Sequence, residues 1–377
     1  MRWRMVALKD VGQIVGGGTP STKEPYNFGD DYPWITPKDL SRQGQRYIAS
    51  GERGISKAGL ASSSAKLLPA GSVIISSRAP IGLTAIAPVP VTTNQGCRSF
   101  VPGDETDTLF MYYLLGSMTD VLERLANGST FKEISGSTLG AIEVDLPRID
   151  EQRAIAAVLG AMDDKIESNR RAIDVAESLA DQLFTVKMAD SVTLTDVAAL
   201  TMGSSPPGDT YNEDGEGLPF YQGVRDFGHR FPGHRVWTTG AIRLAHDNDS
   251  LVSVRAPVGE LNRSRETCCI GRGVAAVSSE SPSCIYYALR ASDATWEPFQ
   301  HEGTVFGAIN KADLSNARLF WPAPDELDSL ENQLSAIDEK IRSWSKEIEK
   351  LTALRDALLP ELLSGRIRVS DAEEAST

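Results

Sequence analysis

The strongest constraint on this chain is that it repeats itself. RAPIG at Arg78–Gly82 returns as RAPVG at Arg255–Gly259, and LKDV at Leu8–Val11 returns as LTDV at Leu194–Val197. The GGTPS turn at Gly17–Ser21 returns, looser, as GSSPPG at Gly203–Gly208, and GSTFKEI at Gly128–Ile134 returns as GTVFGAI at Gly303–Ile309. Each copy then runs into a charged, periodic segment, DDKIESNRRAI from Asp163 and DEKIRSWSKEI from Asp338. The offset stays between 175 and 186 residues, which marks one duplicated unit. Such a chain reads two similar things, or one thing in two halves.

Between the repeats the pattern is mixed α/β. SVIISSR (Ser72–Arg78), AIAPVPVTT (Ala85–Thr93), SLVSVR (Ser250–Arg255) and GVAAVSS (Gly273–Ser279) predict short strands broken by Pro and Gly. TLFMYYLLGSM (Thr108–Met118) and PSCIYYALR (Pro282–Arg290) predict matching buried helices, with Tyr112, Tyr113, Tyr286 and Tyr287 packed rather than stacked on a ligand. From Ile149 to Lys187 there is no Pro and one Gly, and the core positions step by four and three: Ile155, Leu159, Met162, Ile166, Asn169, Ile173. The second copy reads Leu334, Ile337, Ile341, Trp344, Ile348, Leu351, so Trp344 takes the place of Asn169. About 36 helical residues make a rod of roughly 54 Å, longer than one small globule covers. Two such stripes in one chain predict an antiparallel helix pair, a globule at each end, with the halves related by a pseudo-two-fold axis. Asn169 is then a polar position that sets register. The expected division is a first globule over 1–150, a helix over 151–187, a second globule over 188–325, a second helix over 326–366 and an acidic, disordered tail over 367–377.

Charge and composition exclude several classes. The net charge of −13 argues against strong nucleic-acid binding by the chain alone, but the acid is unevenly placed. Residues 1–150 balance, with fifteen basic and fifteen acidic side chains, whereas 326–377 carry seven against twelve. Basic loops on one face, or phosphate contacts from a partner, would still hold DNA. No apolar run reaches membrane-span length, and the start MRWRMVALKD lacks the apolar stretch of a signal peptide, so no membrane contact and a cytoplasmic location are expected. The four cysteines, Cys97, Cys268, Cys269 and Cys284, fit a reduced compartment. A zinc site built from them with His229 and His234 has no mirror in the first copy.

Catalytic signatures are missing as well. There is no GxxxxGK[ST] phosphate loop, no Gly-rich nucleotide or methyl-donor turn, and no Asn/Asp-Pro-Pro-Tyr/Phe element. GSS at Gly203 and GSV at Gly71 lack nucleophile spacing. Pro324-Asp325 followed by Asp338-Glu339-Lys340 imitates a metal-nuclease string, but its second acid falls in the periodic helix rather than on a strand. The chain reads as one without chemistry of its own.

Six strings complete the reading: LKDVGQIVGGGTPS (Leu8–Ser21), PWITPKDL (Pro33–Leu40), LLPAGSVIISSRAPIG (Leu67–Gly82), TNQGCRSF (Thr93–Phe100), GSTFKEIS (Gly128–Ser135) and LPRIDEQRAIAAVLGAMDDKIESNRR (Leu146–Arg171). In this order they resemble the specificity subunits of type I restriction–modification systems. The second half is similar but weaker, lacking the Glu151-Gln152-Arg153 element and the TNQG string. The resemblance implies an α/β chain of two tandem target recognition domains joined by two long antiparallel coiled-coil helices. It implies that each domain recognises one half of a bipartite site on double-stranded DNA. Two DNA methyltransferase subunits and restriction/translocase subunits would dock on this non-catalytic chain. S-adenosylmethionine, ATP and Mg would be bound by those partners and none by this chain. The competing reading is a duplicated protein–protein scaffold with no DNA readout.

Base edges are read by Arg or Lys toward guanine and by Asn or Gln toward adenine. On that chemistry the first-copy candidates are Lys38, Arg42, Arg46, Arg78, Asn94, Gln95, Arg98 and Lys132, with Thr19, Ser76, Ser77 and Thr130 as phosphate or base-edge partners. The second copy offers Arg225, His229, Arg230, Arg235, Arg255, Asn262, Arg263, Arg265, Arg272 and Lys311. Arg78 and Arg255 sit in the most repeated string, which favours a shared structural or phosphate-holding role over base reading.

Overall fold

The computed structural model describes residues 3–128, 132–300 and 307–369. The chain divides into two compact units, Met1–Glu167 with Glu349–Thr377, and Ser168–Ile348. Each unit therefore owns one half of each long helix, Ile149–Lys187 and Pro324–Leu363.

The first unit is built on an antiparallel sheet in the order Gly12–Gly16, Cys97–Pro102, Val73–Ser76, Thr84–Ile86. The run Ala85–Thr93 breaks after Ile86 at Pro88 and Pro90, because proline cannot donate to a ladder. It resumes as Thr92–Thr93, which pairs in parallel with Phe28–Ile35 in a second, three-stranded sheet. The helix Thr108–Gly116 starts where the Asp107 side chain accepts the Phe110 amide at 2.9 Å. Its Phe110, Met111 and Leu115 are fully buried with Val73, Ile75 and Phe100 of the sheet and with Ile155 and Leu159 of the first long helix. Leu362 and Leu363 of the second long helix close the same core.

The second unit repeats the plan. Ala199–Met202, Val274–Ser278, Ser250–Ser253 and Leu261–Arg263 form the matching sheet, and Pro282–Arg290 is the matching helix. Its smaller sheet has grown to five short strands. Here the two long helices run antiparallel, since Asn169 bonds Glu347 at 2.8 Å while Lys187 bonds Glu326 at 2.7 Å. The apolar stripe divides between two destinations. Ile173 and Ile341 pack together with Trp344 and Phe231, whereas Ala180, Phe184, Leu330 and Leu334 turn into the core of the unit. A head that must bury an open sheet face recruits helix residues that a free coiled coil would keep in its seam. Of the expected pairing positions, Ile155, Leu159, Ile166, Ile173, Leu334 and Ile341 are buried, while Met162, Ile337, Trp344, Ile348 and Leu351 stay partly exposed. Asn169 is 2% exposed, so its amide has left water for the Glu347 carboxylate.

Candidate nucleic-acid interface

In each unit the repeated strings meet as one cluster of loops. In the first, Gly18 N–H donates to Thr93 O at 2.9 Å, Ser77 N–H to Gly96 O at 2.8 Å, and Ile134 N–H to Ser77 O at 3.0 Å. The indole of Trp34 donates to Gly18 O at 3.0 Å, which ties the PWI string to the GGTPS turn. The second unit makes the same stitches: Ser204 N–H to Ile270 O, Val254 N–H to Gly273 O and Ile309 N–H to Val254 O, all at 3.0 Å.

The RAP[IV]G loop has one architecture in both. Ser76 Oγ donates to Pro80 O at 2.6 Å and accepts the Leu83 amide at 2.9 Å; Ser253 Oγ donates to Pro257 O and accepts the Glu260 amide at 2.9 Å. Both Ala–Pro bonds, Ala79–Pro80 and Ala256–Pro257, are cis. Gly82 and Gly259 close the loops at φ 91° and 90°, where an L side chain is strained. A β-carbon at Gly259 would also lie 2.5 Å from the Trp296 ring.

Several expected DNA contacts are turned inward instead. Ser76 and Ser77 are fully buried, Ser76 as the brace of its loop. Arg46 points at the first long helix, where it donates to Gly160 O at 3.3 Å and pairs with Asp164. Arg230 is 2% exposed, stacks on Tyr286 at 3.6 Å, and shares Asp338 with Arg263. Asn262 donates to Gly228 O at 2.8 Å and is buried beside them. These residues are basic or amide-bearing because a helix carboxylate or a loop carbonyl faces them. Arg235, held by Asp226 at 2.7 Å, and His229, 3.3 Å from Asp174, are paired with carboxylates but stay at the surface, His229 64% exposed.

The remaining candidates stand at the surface of the clusters. In the first unit Thr19 bonds Gln95, Arg78 and Arg98 share Glu133, Asn94 accepts the Gly96 amide at 2.9 Å, and Lys132 is exposed. Lys38 and Arg42 project from the helix Pro37–Gln43, which begins with a capping box between Thr36 and Asp39. Both contact Glu52, at 2.8 and 2.9 Å, and the Lys38 hydrogen bond, then its charge and that of Arg42, lower the Glu52 pKa. In the second unit Arg225, Arg255, Arg272 and Lys311 are exposed, and Arg265 lies 5.9 Å from the Phe231 ring. Thr130 lies outside the described residues.

Sequence reading missed the aspartate that locks each head to its helices. Tyr113 donates to Asp163 at 2.6 Å and Tyr287 to Asp338 at 2.9 Å. Burial, then in the first unit the bond to Asp163, raises both phenol pKa values, so each stays protonated and donates. The signal was in the sequence: both partners recur, at offsets of 174 and 175 residues. With Asp338 held under two guanidinium groups and Asp325 on the same helix, the nuclease-like string has no site to form. Among the described residues no group of three or more His, Cys, Asp or Glu is placed to hold a metal ion, and no helix is long and apolar enough to cross a membrane.

This duplicated arrangement of sheets and helices recurs in a solved structure. The crystal structure of the type I restriction–modification S subunit from M. genitalium matches it with a TM-score of 0.66 over 96% of both chains, at 18% identity, a likeness of fold. A family model described as the type I restriction modification DNA specificity domain matches residues 1–178. The type I restriction enzyme MjaIX specificity subunit of Methanocaldococcus jannaschii is 30% identical over 411 residues, covering 98% of this chain and 94% of its own. The HindI specificity subunit of Haemophilus influenzae is 33% identical over 189 residues, 48% of this chain and 40% of its own. The chain therefore belongs to the specificity subunits of type I restriction enzymes: a non-catalytic member of a restriction–modification complex that supplies its DNA sequence recognition.

Proposed function

We propose that each unit reads one half of a bipartite target on double-stranded DNA. One observation carries this reading. The two loop clusters share their main-chain stitching but display different side chains. Arg98, paired with Ile75 in the first sheet, is replaced by buried Ala275, paired with Val252, in the second, and Glu133, bridged to Arg78, is replaced by Ala308, bridged to Arg255. Two readers of different half-sequences need that combination, because phosphate contacts position a protein while loop side chains specify bases. Exposed Arg78, Gln95 and Lys132 with half-buried Thr19 and Asn94 would serve the first half-site, and exposed Arg225, Arg272 and Lys311 with half-buried Arg265 the second.

The acidic balance of the chain leaves much of the phosphate attraction to partners. In this reading two methyltransferase subunits dock beside the heads, bind S-adenosylmethionine and methylate adenine N6. Restriction/translocase subunits bring ATP and Mg, and the complex works in the cytoplasm. The test is methylome sequencing of cells carrying this gene with and without its neighbouring methyltransferase gene, followed by exchange of residues 191–325 for those of a relative. The expected result is a split adenine-methylated motif that needs both genes and changes in one half only after the exchange. A change in both halves, or a motif indifferent to this chain, overturns it.

A further inference from the structure

Glu133 sits where three loops of the first unit meet. Its amide and carbonyl exchange hydrogen bonds with Asn127 at 2.9 and 3.0 Å, and its backbone bridges to Arg78. Its carboxylate is divided between two guanidinium groups: Arg98 Nη2 donates to Oε1 at 2.9 Å and Arg78 Nε to Oε2 at 3.0 Å, with Arg78 Nη2 2.9 Å from the same oxygen.

The two arginines do different work. Arg98 is the fixed end, only 17% exposed at its side chain, with Nη1 donating to the carbonyls of Gln95 at 3.1 Å and Cys97 at 3.0 Å. Gly16 and Gly136 flank it, and a β-carbon at either would touch it at 3.7 or 3.9 Å. Arg78 is the free end, 45% exposed. Its Nε–Nη2 edge lies on Glu133, which fixes the guanidinium plane and, with the side chain 45% exposed, leaves Nη1 and the second Nη2 proton to form an outer fork. That fork matches the O6 and N7 acceptors of guanine. The carboxylate also cancels one of the two positive charges, so the group loses general attraction for phosphate while its direction is kept.

The second unit lacks the device. Arg255 occupies the place of Arg78, but its bridge partner is Ala308 where the first unit has Glu133, and Ala275 stands in the register of Arg98. Among the described residues no carboxylate is paired with Arg255, and an arginine whose charge is undivided suits a phosphate.

We propose that Arg78, oriented by Glu133 as a positioning residue, reads a guanine in the half-site of the first head, and that Arg255 holds phosphate. This rests on the reading that the loop clusters face DNA. The test uses the full chain expressed with its neighbouring methyltransferase gene, and reads methylation at target sites carrying each base at each position. Arg78→Ala and Glu133→Gln are expected to relax the same guanine in one half-site, by roughly ten- to a hundredfold in discrimination. Glu133→Asp restores part of it, and Arg255→Ala lowers methylation evenly over all sequences. A uniform loss in Arg78→Ala, relaxation at a base other than guanine, or unchanged discrimination in Glu133→Gln overturns the proposal while the split motif of the unaltered chain stands. If Glu133→Gln is not methylating at all, Arg78→Ala, which alters an exposed side chain, decides alone. Absence of a split motif in the unaltered chain removes the underlying reading, and this assignment with it.

Discussion

Asp163 and Asp338 occupy the same place in the two copies, and each accepts a tyrosine hydroxyl, yet their surroundings differ in kind. Asp163 also accepts Arg355 at 2.7 Å, from the second long helix, and that side chain stays 27% exposed. Asp338 lies under Arg230 and Arg263, which are 1% and 3% exposed at their side chains, and Glu177 stands 3.6 Å from Arg230. The first head thus closes its junction with a half-wet ion pair that joins helix to helix. The second closes it with a buried charge network that joins head to helices. The helix starts differ likewise. Gln152 accepts the Asp107 amide at 2.9 Å in the first unit; in the second, which lacks that glutamine, Glu331 accepts the Ser283 and Cys284 amides at 3.0 and 2.8 Å from another point on its helix. Duplication preserved which elements meet, and each copy then found its own way to satisfy the polar groups that the meeting buries.

Asymmetric burial makes the comparison breakable. Asp338→Asn leaves two buried guanidinium groups short of charge and is expected to cost about 3–5 kcal/mol. The equivalent Asp163→Asn should cost about 1–2 kcal/mol, since its arginine can turn to water. Urea denaturation of the full-length variants measures both, and equal costs would erase the distinction drawn between the two junctions. Next in size, Gly259→Ala should lower stability by about 3 kcal/mol, from positive φ and collision with a rigid indole. Gly82→Ala should cost about 2 kcal/mol, because its neighbour Thr119 is a small side chain that can rotate. Thermal melting of the pair tests that order. The smallest effect belongs to Asn169→Leu. It should cost about 1 kcal/mol through the lost Glu347 bond and loosen helix alignment while sequence preference is kept. An unchanged melting and oligomeric profile would deny Asn169 a register role.

Much of the fold was legible because repeats and periodicity are local. RAPIG and RAPVG marked equivalent loops, the heptad steps located both long helices, and the paired tyrosines fell on matching helices. The candidate interface was legible only in outline. Arg230, Asn262 and Arg263 lie in a basic run that suggested a DNA face, and nothing in that run shows that Asp338, 75 residues beyond Arg263, comes to meet it. Ser76 looked like a free hydroxyl until the loop folded its own proline carbonyl back onto it. Glu133 carried no assignment within the string GSTFKEIS, though it is the group on which two arginines converge.

The sequence by itself determined the duplication, the class of fold and the family, because these are carried by the order and spacing of residue types. Tertiary structure alone decided which of the charged and amide side chains face outward. Burying an arginine requires a carboxylate placed against it by a distant part of the chain, and that pairing exists only once sheet and helices have packed.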